Sequence, residues 1–109
     1  MRRRPIALLI AACGWPFVAT PAPAAGGAAV HTVVIEAMTF QPEKLTVRRG
    51  DTVVWINKDP FPHTATAAGV FDSRSIPSGG SWKHPVGKPG TFPYVCTLHP
   101  TMNAVLEVK

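Results

Sequence analysis

The stretch CTLHPTM, residues 96–102, places three side chains with metal-binding chemistry within seven positions. Cys96 carries a thiol, His99 an imidazole and Met102 a thioether. Thiolate and thioether are soft ligands and imidazole is intermediate, so the set favours copper over magnesium, calcium or manganese, which prefer oxygen. A lone cysteine or methionine more often fills a hydrophobic core. The close spacing of the three favours a metal site over that simpler interpretation.

A copper site built on one thiolate and a weak axial sulfur needs two imidazoles. The second histidine must come from elsewhere, and His31, His63 and His84 are the candidates. His63 is the best placed, because it follows WINKDPFP, where a strand runs into a loop bracketed by prolines, and it begins another predicted strand. We expect His31 and His84 to be solvated strand residues.

The elements that must position these ligands are predicted to be short strands separated by turns. Glycines and prolines stand at many of the joints, and no helical run of useful length is present. The pattern predicts an all-β sandwich. Residues 70–80 are expected to form an irregular loop, and the strands that contain Pro85 and Pro93 are expected to be edges or to carry bulges. The predicted strands are 31–37, 44–49, 52–57, 63–67, 81–86, 91–96 and 104–108.

The predicted core is modest, because a chain of about 85 residues is only marginally able to stabilise itself by burial. A bound metal would add stability, since it binds only the folded state. Met38 is expected to be a core filler. The predicted core residues are Phe40, Leu45, Val53, Trp55, Ile56, Phe71, Trp82, Phe92, Tyr94, Val95 and Leu106.

Residues 1–24 have the pattern of an export signal. Three arginines precede an apolar run that starts at Ile6, and Ala22-Pro23-Ala24 has the spacing of a cleavage site. The run is too short and too interrupted by proline for a stable membrane span, which needs roughly 20 apolar residues. The alternative is lipidation at Cys13, which would anchor the protein. The preferred prediction is a cleaved signal, a single domain at residues 25–109 and a periplasmic location.

The charge of the predicted mature chain argues against nucleic acid as a partner. Loss of the three N-terminal arginines leaves eight of eleven basic side chains against six acidic ones, a net charge of +2. The remaining cations are scattered without interleaved aromatic residues. Asp59 and Glu36 have no partner carboxylate at a spacing suited to acid–base catalysis. These observations argue against both a nucleic-acid-binding protein and a hydrolytic enzyme.

The order of these motifs resembles the cupredoxins, the small blue copper proteins. The resemblance rests on GDTVVWIN, then His63, then GTFPYVC leading into Cys-x-x-His-x-x-Met, and it extends from about residue 33 to 108. The spacing of two residues between His99 and Met102 is similar to that in the amicyanin group. Many members have Asn directly after the first ligand histidine, where this chain has Thr64. The Thr64 hydroxyl is expected to make the hydrogen bond that ties the two ligand loops together.

The resemblance implies an antiparallel Greek-key β-sandwich of about seven to eight short strands. It also implies that His63, Cys96, His99 and Met102 bind one type 1 copper ion. The implied function is a monomeric electron carrier rather than an enzyme, with redox proteins as partners. By the same resemblance, an amine dehydrogenase is the expected donor and a c-type cytochrome the expected acceptor. Copper delivery or resistance is the alternative function, and a small oxidase or reductase module is disfavoured because one short domain leaves no second copper site.

Overall fold

The computed structural model describes residues 28–109 together with Gly14 and Pro16. Within this part of the chain every regular element is a β-strand. The described residues include no helix long and apolar enough to cross a membrane. The export segment predicted at residues 1–24 lies outside the described residues, apart from the two isolated positions.

The described residues form nine strands in two sheets, slightly more than the seven to eight expected. The first sheet has the strand order β2-β1-β4-β7 and the second the order β3-β9-β8-β5-β6. The all-β sandwich prediction is confirmed. In chain order the strands are β1 (Val30–Glu36), β2 (Thr39–Gln41), β3 (Lys44–Val47), β4 (Thr52–Asn57), β5 (Thr66–Ala67), β6 (Phe71–Asp72), β7 (Ser81–Pro85), β8 (Gly90–Cys96) and β9 (His99–Val108).

Both sheets are mixed rather than wholly antiparallel. Strand β1 runs parallel to β4, with Val33 opposite Trp55, and β3 runs parallel to β9, with Lys44 opposite Val105. The remaining strand pairs are antiparallel. Parallel partners need a crossover connection. In the first sheet β2 and β3 supply it, because they lie between β1 and β4 in the chain.

Strict alternation in β4 and β9 builds the core between the sheets. In β4 the buried residues are Val53, Trp55 and Asn57, with half-buried residues between them. From Met102 onward β9 buries every second side chain. A period of two is what a strand with one face on a core requires. These two strands therefore present the apolar faces that hold the sandwich together.

Trp55 is the central aromatic residue of the core. It is 0% exposed, and its ring centroid lies 5.6 Å from that of Tyr94 in an edge-to-face arrangement. The Trp55 indole N–H donates to the Tyr94 hydroxyl at 3.3 Å, so neither buried polar group lacks a partner. Burial raises the pKa of Tyr94 to about 12. Tyr94 lies two residues before Cys96 on β8, so this packing also fixes the strand that carries the thiol.

Several predicted strand boundaries are wrong. Strand β2 was not predicted, because three residues with one buried side chain give no visible alternation. Residues 63–67 form a strand only over β5, and His63 instead makes an isolated bridge with Ile76. The segment 70–80 is not wholly irregular, because it contains β6 and Ile76. Short strands held by distant partners leave little periodic signal in the sequence.

The predictions for the two strand prolines are confirmed. Pro85 ends β7, which is the edge strand of the first sheet. Pro93 lies in β8, whose pairing with β9 has a register irregularity between Val95 and Cys96. A proline has no N–H to donate to a ladder, so edges and bulges are where a sheet tolerates it.

Three core predictions are wrong in detail. Ile56 and Val95 are half-buried, because each alternates with the buried residue beside it on the same strand. Met38 is 36% exposed and has a positive φ of 59°, so it belongs to the turn between β1 and β2. The sequence prediction also omitted Val33 and Ile35, both 0% exposed on β1.

Candidate metal centre

Cys96 lies at the end of β8, where the strand pairing becomes irregular. Its side chain is 0% exposed, and its register partner is His99, the first residue of β9. The backbone N–H of Thr64 donates to Cys96 Sγ at 3.3 Å. This hydrogen bond fixes the position of the sulfur, the atom through which a cysteine binds metals.

A looped-out segment of β9 sets the positions of His99 and Met102. Val95 pairs with Asn103 and Cys96 with His99, so one step along β8 corresponds to four along β9. Regular alternation would place residues three apart on opposite faces of a strand. The extra residues, 100–102, remove that restriction. The sequence spacing CTLHPTM is therefore compatible with a shared site only because this strand departs from regular pairing.

His63 is held rigidly beside the thiol. Its backbone N–H donates to the Ile76 carbonyl at 3.1 Å, and the Ile76 N–H donates back to the His63 carbonyl at 2.7 Å. The ring is 0% exposed, with Nδ1 3.6 Å from Cys96 Sγ. The structure thus brings together two residues that are 33 positions apart in the sequence.

His99 and Met102 lie nearby with different exposure. The His99 ring is half-buried, and its centroid is 5.1 Å from that of His63. Met102 is 3% exposed and lines a cavity of about 140 Å³. The described residues contain no group of three His, Cys, Asp or Glu side chains placed to hold a metal ion. His63 and Cys96 are therefore in contact, while His99 is adjacent without completing a three-residue cluster.

Asp59 is a buried carboxylate that contacts the candidate ligand His63. Its Oδ2 lies 2.8 Å from His63 Nε2, and its two oxygens also accept the backbone N–H groups of Ala37 and Met38. Burial acts to raise the pKa of Asp59, but these hydrogen bonds outweigh it and hold the pKa below its ordinary value. The sequence reasoning missed this role, because a spacing of four residues implies contact only in a helix.

The Thr64 hydroxyl joins the two segments that carry the candidate ligands. Its Oγ1 accepts the Thr97 backbone N–H at 2.8 Å and lies 3.1 Å from the Thr97 hydroxyl. Thr97 directly follows Cys96, and Thr64 directly follows His63. The predicted hydrogen bond from Thr64 across the two loops is confirmed.

The other two histidines have partners of their own. His31 Nε2 lies 2.9 Å from Asp51 Oδ2, and His84 stacks on Trp82 with ring centroids 5.3 Å apart. Burial lowers the pKa of His84. Both residues lie on strands as predicted, but their side chains are half-buried rather than solvated. His84 lies opposite Val53 in the strand pairing, toward the start of β4, whereas His63 follows the end of β4.

Comparisons with known proteins agree with this fold and arrangement. Residues 7–108 match the family described as Cupredoxin-like domain. Amicyanin-alpha of Methylorubrum extorquens is 31% identical, over 94% of this chain and 98% of the relative. Amicyanin of Paracoccus denitrificans is 35% identical, over 86% of this chain and 73% of the relative. The chain belongs to the cupredoxin family.

The structural comparison leads to the same group. A Cu(I) form of an amicyanin mutant superposes with a TM-score of 0.69 at 30% sequence identity, covering 73% of this chain and 82% of the other. The resemblance noted from the motifs therefore extends to the three-dimensional arrangement of the strands.

Proposed function

We propose that this protein is a type 1 (blue) copper electron carrier whose ligands are His63, Cys96, His99 and Met102. The observation that carries the proposal is the approach of His63 Nδ1 to within 3.6 Å of Cys96 Sγ, both fully buried. A soft thiolate and an imidazole at that distance form the core of a copper(II) ligand set. The relatives named amicyanin and plastocyanin support the same assignment.

The donors present fit a copper ion. Cys96 Sγ accepts a hydrogen bond from the Thr64 N–H, and His63 has its Nε2 engaged by Asp59, which leaves Nδ1 facing the sulfur. His99 is the half-buried member, and its ring, 5.1 Å from that of His63 between centroids, would supply the second imidazole. Met102 would supply the weak axial sulfur. Copper bound there would supply a one-electron couple between its two oxidation states.

The surroundings suit electron transfer better than catalysis. His63 and Cys96 are 0% exposed and Met102 is 3% exposed, which leaves little room for a substrate beside them. The ligand-bearing segments are tied to each other through Thr64 and Thr97. A site held in this way changes little in shape when its charge changes by one electron.

Apolar side chains around His99 form the proposed contact surface. Phe61 is 46% exposed with its ring centroid 6.4 Å from that of His99, and Leu98 is 50% exposed. Pro62 and Pro100 are also exposed. A small apolar patch beside a half-buried ligand suits a brief, weak encounter with a redox protein. The proposed partners are an amine dehydrogenase as donor and a c-type cytochrome as acceptor.

The proposed location is the periplasm, with residues 1–24 removed and residues 25–109 forming a monomeric mature domain. The sequence pattern of the first 24 residues supports this proposal. Intact-mass measurement of the exported protein tests it. A chain that begins near Ala25 without lipid is expected, whereas an N-terminus at Cys13 with an added acyl mass would establish the anchored form.

Copper titration of the purified apo-protein tests the function itself. We expect one equivalent of Cu(II) to produce an intense visible band from thiolate-to-copper charge transfer, with reversible one-electron cycling. Cys96→Ser should abolish the band, because a hydroxyl cannot replace the thiolate. Met38→Leu is the matched control, since it removes an exposed thioether outside the ligand set and should leave the band unchanged.

Two results would count against the proposal. A wild-type protein without the visible band would exclude a type 1 site. Tight Cu(I) binding without reversible cycling would instead indicate copper delivery.

A further inference from the structure

Asp59, in the segment before His63, is held by hydrogen bonds to both its backbone and its side chain. Its backbone N–H donates to Asn57 Oδ1 at 3.0 Å, and Asn57 is 0% exposed. Its side chain accepts from Ala37 N at 2.7 Å and Met38 N at 2.9 Å. The carboxylate is 5% exposed, so these bonds are largely shielded from water. Asp59 therefore has a fixed orientation toward His63, whose Nε2 lies 2.8 Å from Oδ2.

This contact determines which ring nitrogen of His63 carries the proton. An ionised carboxylate can only accept hydrogen bonds, so Nε2 must be the donor. In a neutral imidazole the other nitrogen then keeps its lone pair. That nitrogen is Nδ1, the atom 3.6 Å from Cys96 Sγ. Asp59 thus selects the tautomer that can bind a metal beside the thiol.

We propose that Asp59 is a positioning residue that fixes the tautomer and ring orientation of His63 and, through its negative charge, favours Cu(II) over Cu(I). The inference rests on the proposed function and names a residue that regulates the potential of that site. A carboxylate bonded to the outer nitrogen of a ligand histidine makes the imidazole a stronger donor. The negative charge of Asp59 also favours Cu(II) over Cu(I), because the more highly charged ion gains more from a nearby anion.

The alternative is a purely structural role for Asp59. A second buried carboxylate in the chain serves as a control that separates these two roles. Asp51 is 6% exposed and accepts the backbone N–H groups of Ala29 and Arg48, each at 3.0 Å. It also contacts a histidine, with His31 Nε2 2.9 Å from its Oδ2. Asp51 precedes β4 and Asp59 follows it, so the length of that strand, roughly 17 Å, separates them. The two carboxylates have matching bonds, but only Asp59 touches a candidate ligand.

The test compares Asp59→Asn and Asp51→Asn with the wild-type protein. Nitrogen NMR of the apo-proteins at neutral pH reports the tautomer of each histidine, and copper competition and voltammetry report affinity and potential. We expect wild-type His63 to carry its proton on Nε2, and this preference to weaken in Asp59→Asn. Asp59→Asn should bind Cu(II) about 10–100-fold more weakly. Each tenfold loss of Cu(II) over Cu(I) affinity raises the potential by about 59 mV. Asp51→Asn should leave both copper readouts unchanged.

Several results would overturn the inference. One is an unchanged tautomer, affinity and potential in Asp59→Asn; another is an equal change in potential in both variants, which would indicate a general structural effect. If Asp59→Asn fails to fold, the wild-type tautomer decides, and a proton on His63 Nδ1 would reject the role. If the wild-type protein binds no copper, the proposed function fails, and the apo-protein tautomer still supports or rejects the action of Asp59 on His63.

Discussion

Replacement of Thr64 by valine should loosen the connection between the two candidate ligand segments. Valine keeps the branched shape but removes the oxygen that accepts the Thr97 backbone N–H at 2.8 Å. Thr64 is 5% exposed, so water cannot readily replace that oxygen. The loss of one partner from such a bond costs about 1–3 kcal/mol. We expect about 1–2 kcal/mol here, because the bond is only partly buried.

The assay is thermal unfolding of the apo-protein, which separates the effect from copper binding. For a domain of this size each kcal/mol corresponds to about 4–8 °C in Tm, so the expected decrease is about 4–16 °C. Thr97→Val is the matched control, since it removes only the hydroxyl and keeps the backbone N–H that Thr64 accepts. Thr97 is exposed, and its substitution should cost about 0.5 kcal/mol or less. An equal Tm for Thr64→Val and wild type would refute the reasoning, as would an equal loss in both variants.

Two further predictions concern the axial position and acid stability. Met102→Leu should still bind copper and stay blue with a higher reduction potential, about 59 mV for each tenfold loss of Cu(II) over Cu(I) affinity, measured by voltammetry; complete loss of copper would contradict a weak axial role. This swap conserves volume at a buried site and should cost less than about 1.5 kcal/mol. Hydrogen bonds from Ala29, Arg48 and His31 lower the pKa of Asp51 to about 2 from 3.8. Its stabilising effect is therefore present above pH 3.8 and is lost as the pH falls toward 2. The Tm difference between wild-type and Asp51→Asn apo-protein should shrink over that range, and a difference independent of pH would exclude this origin.

Local pattern predicts β4 well but only residues 104–108 of β9, the longest described strand. The alternation in TVVWIN predicts β4, and the structure places Val53 and Trp55 of this strand in the core. Strand β3 alternates in the same way, with Val47 buried and Thr46 exposed. These strands are long enough for a period of two to appear in the sequence.

The parallel strand pairs and the contacts of the candidate site could not be predicted in the same way. The pairing of Lys44 with Val105 depends on how the whole chain closes, and neither segment records its partner. The contact between His63 and Cys96 was expected from the order of motifs rather than from spacing. The contact of Asp59 was missed because it depends on a loop conformation that brings the carboxylate to Nε2 of the His63 ring.

The position of β9 in the second sheet has a consequence for the order of folding. This strand is the last of the described strands in sequence order, yet it lies between β3 and β8 rather than at an edge. The sheet cannot close until β9 has been synthesised, and its pairing with β3 requires a long loop to close first, which slows folding. We therefore expect folding in milliseconds to seconds, as for other domains dominated by distant strand pairs. Since β9 also carries His99 and Met102, the candidate ligands come together only when this interior strand has paired with both of its neighbours.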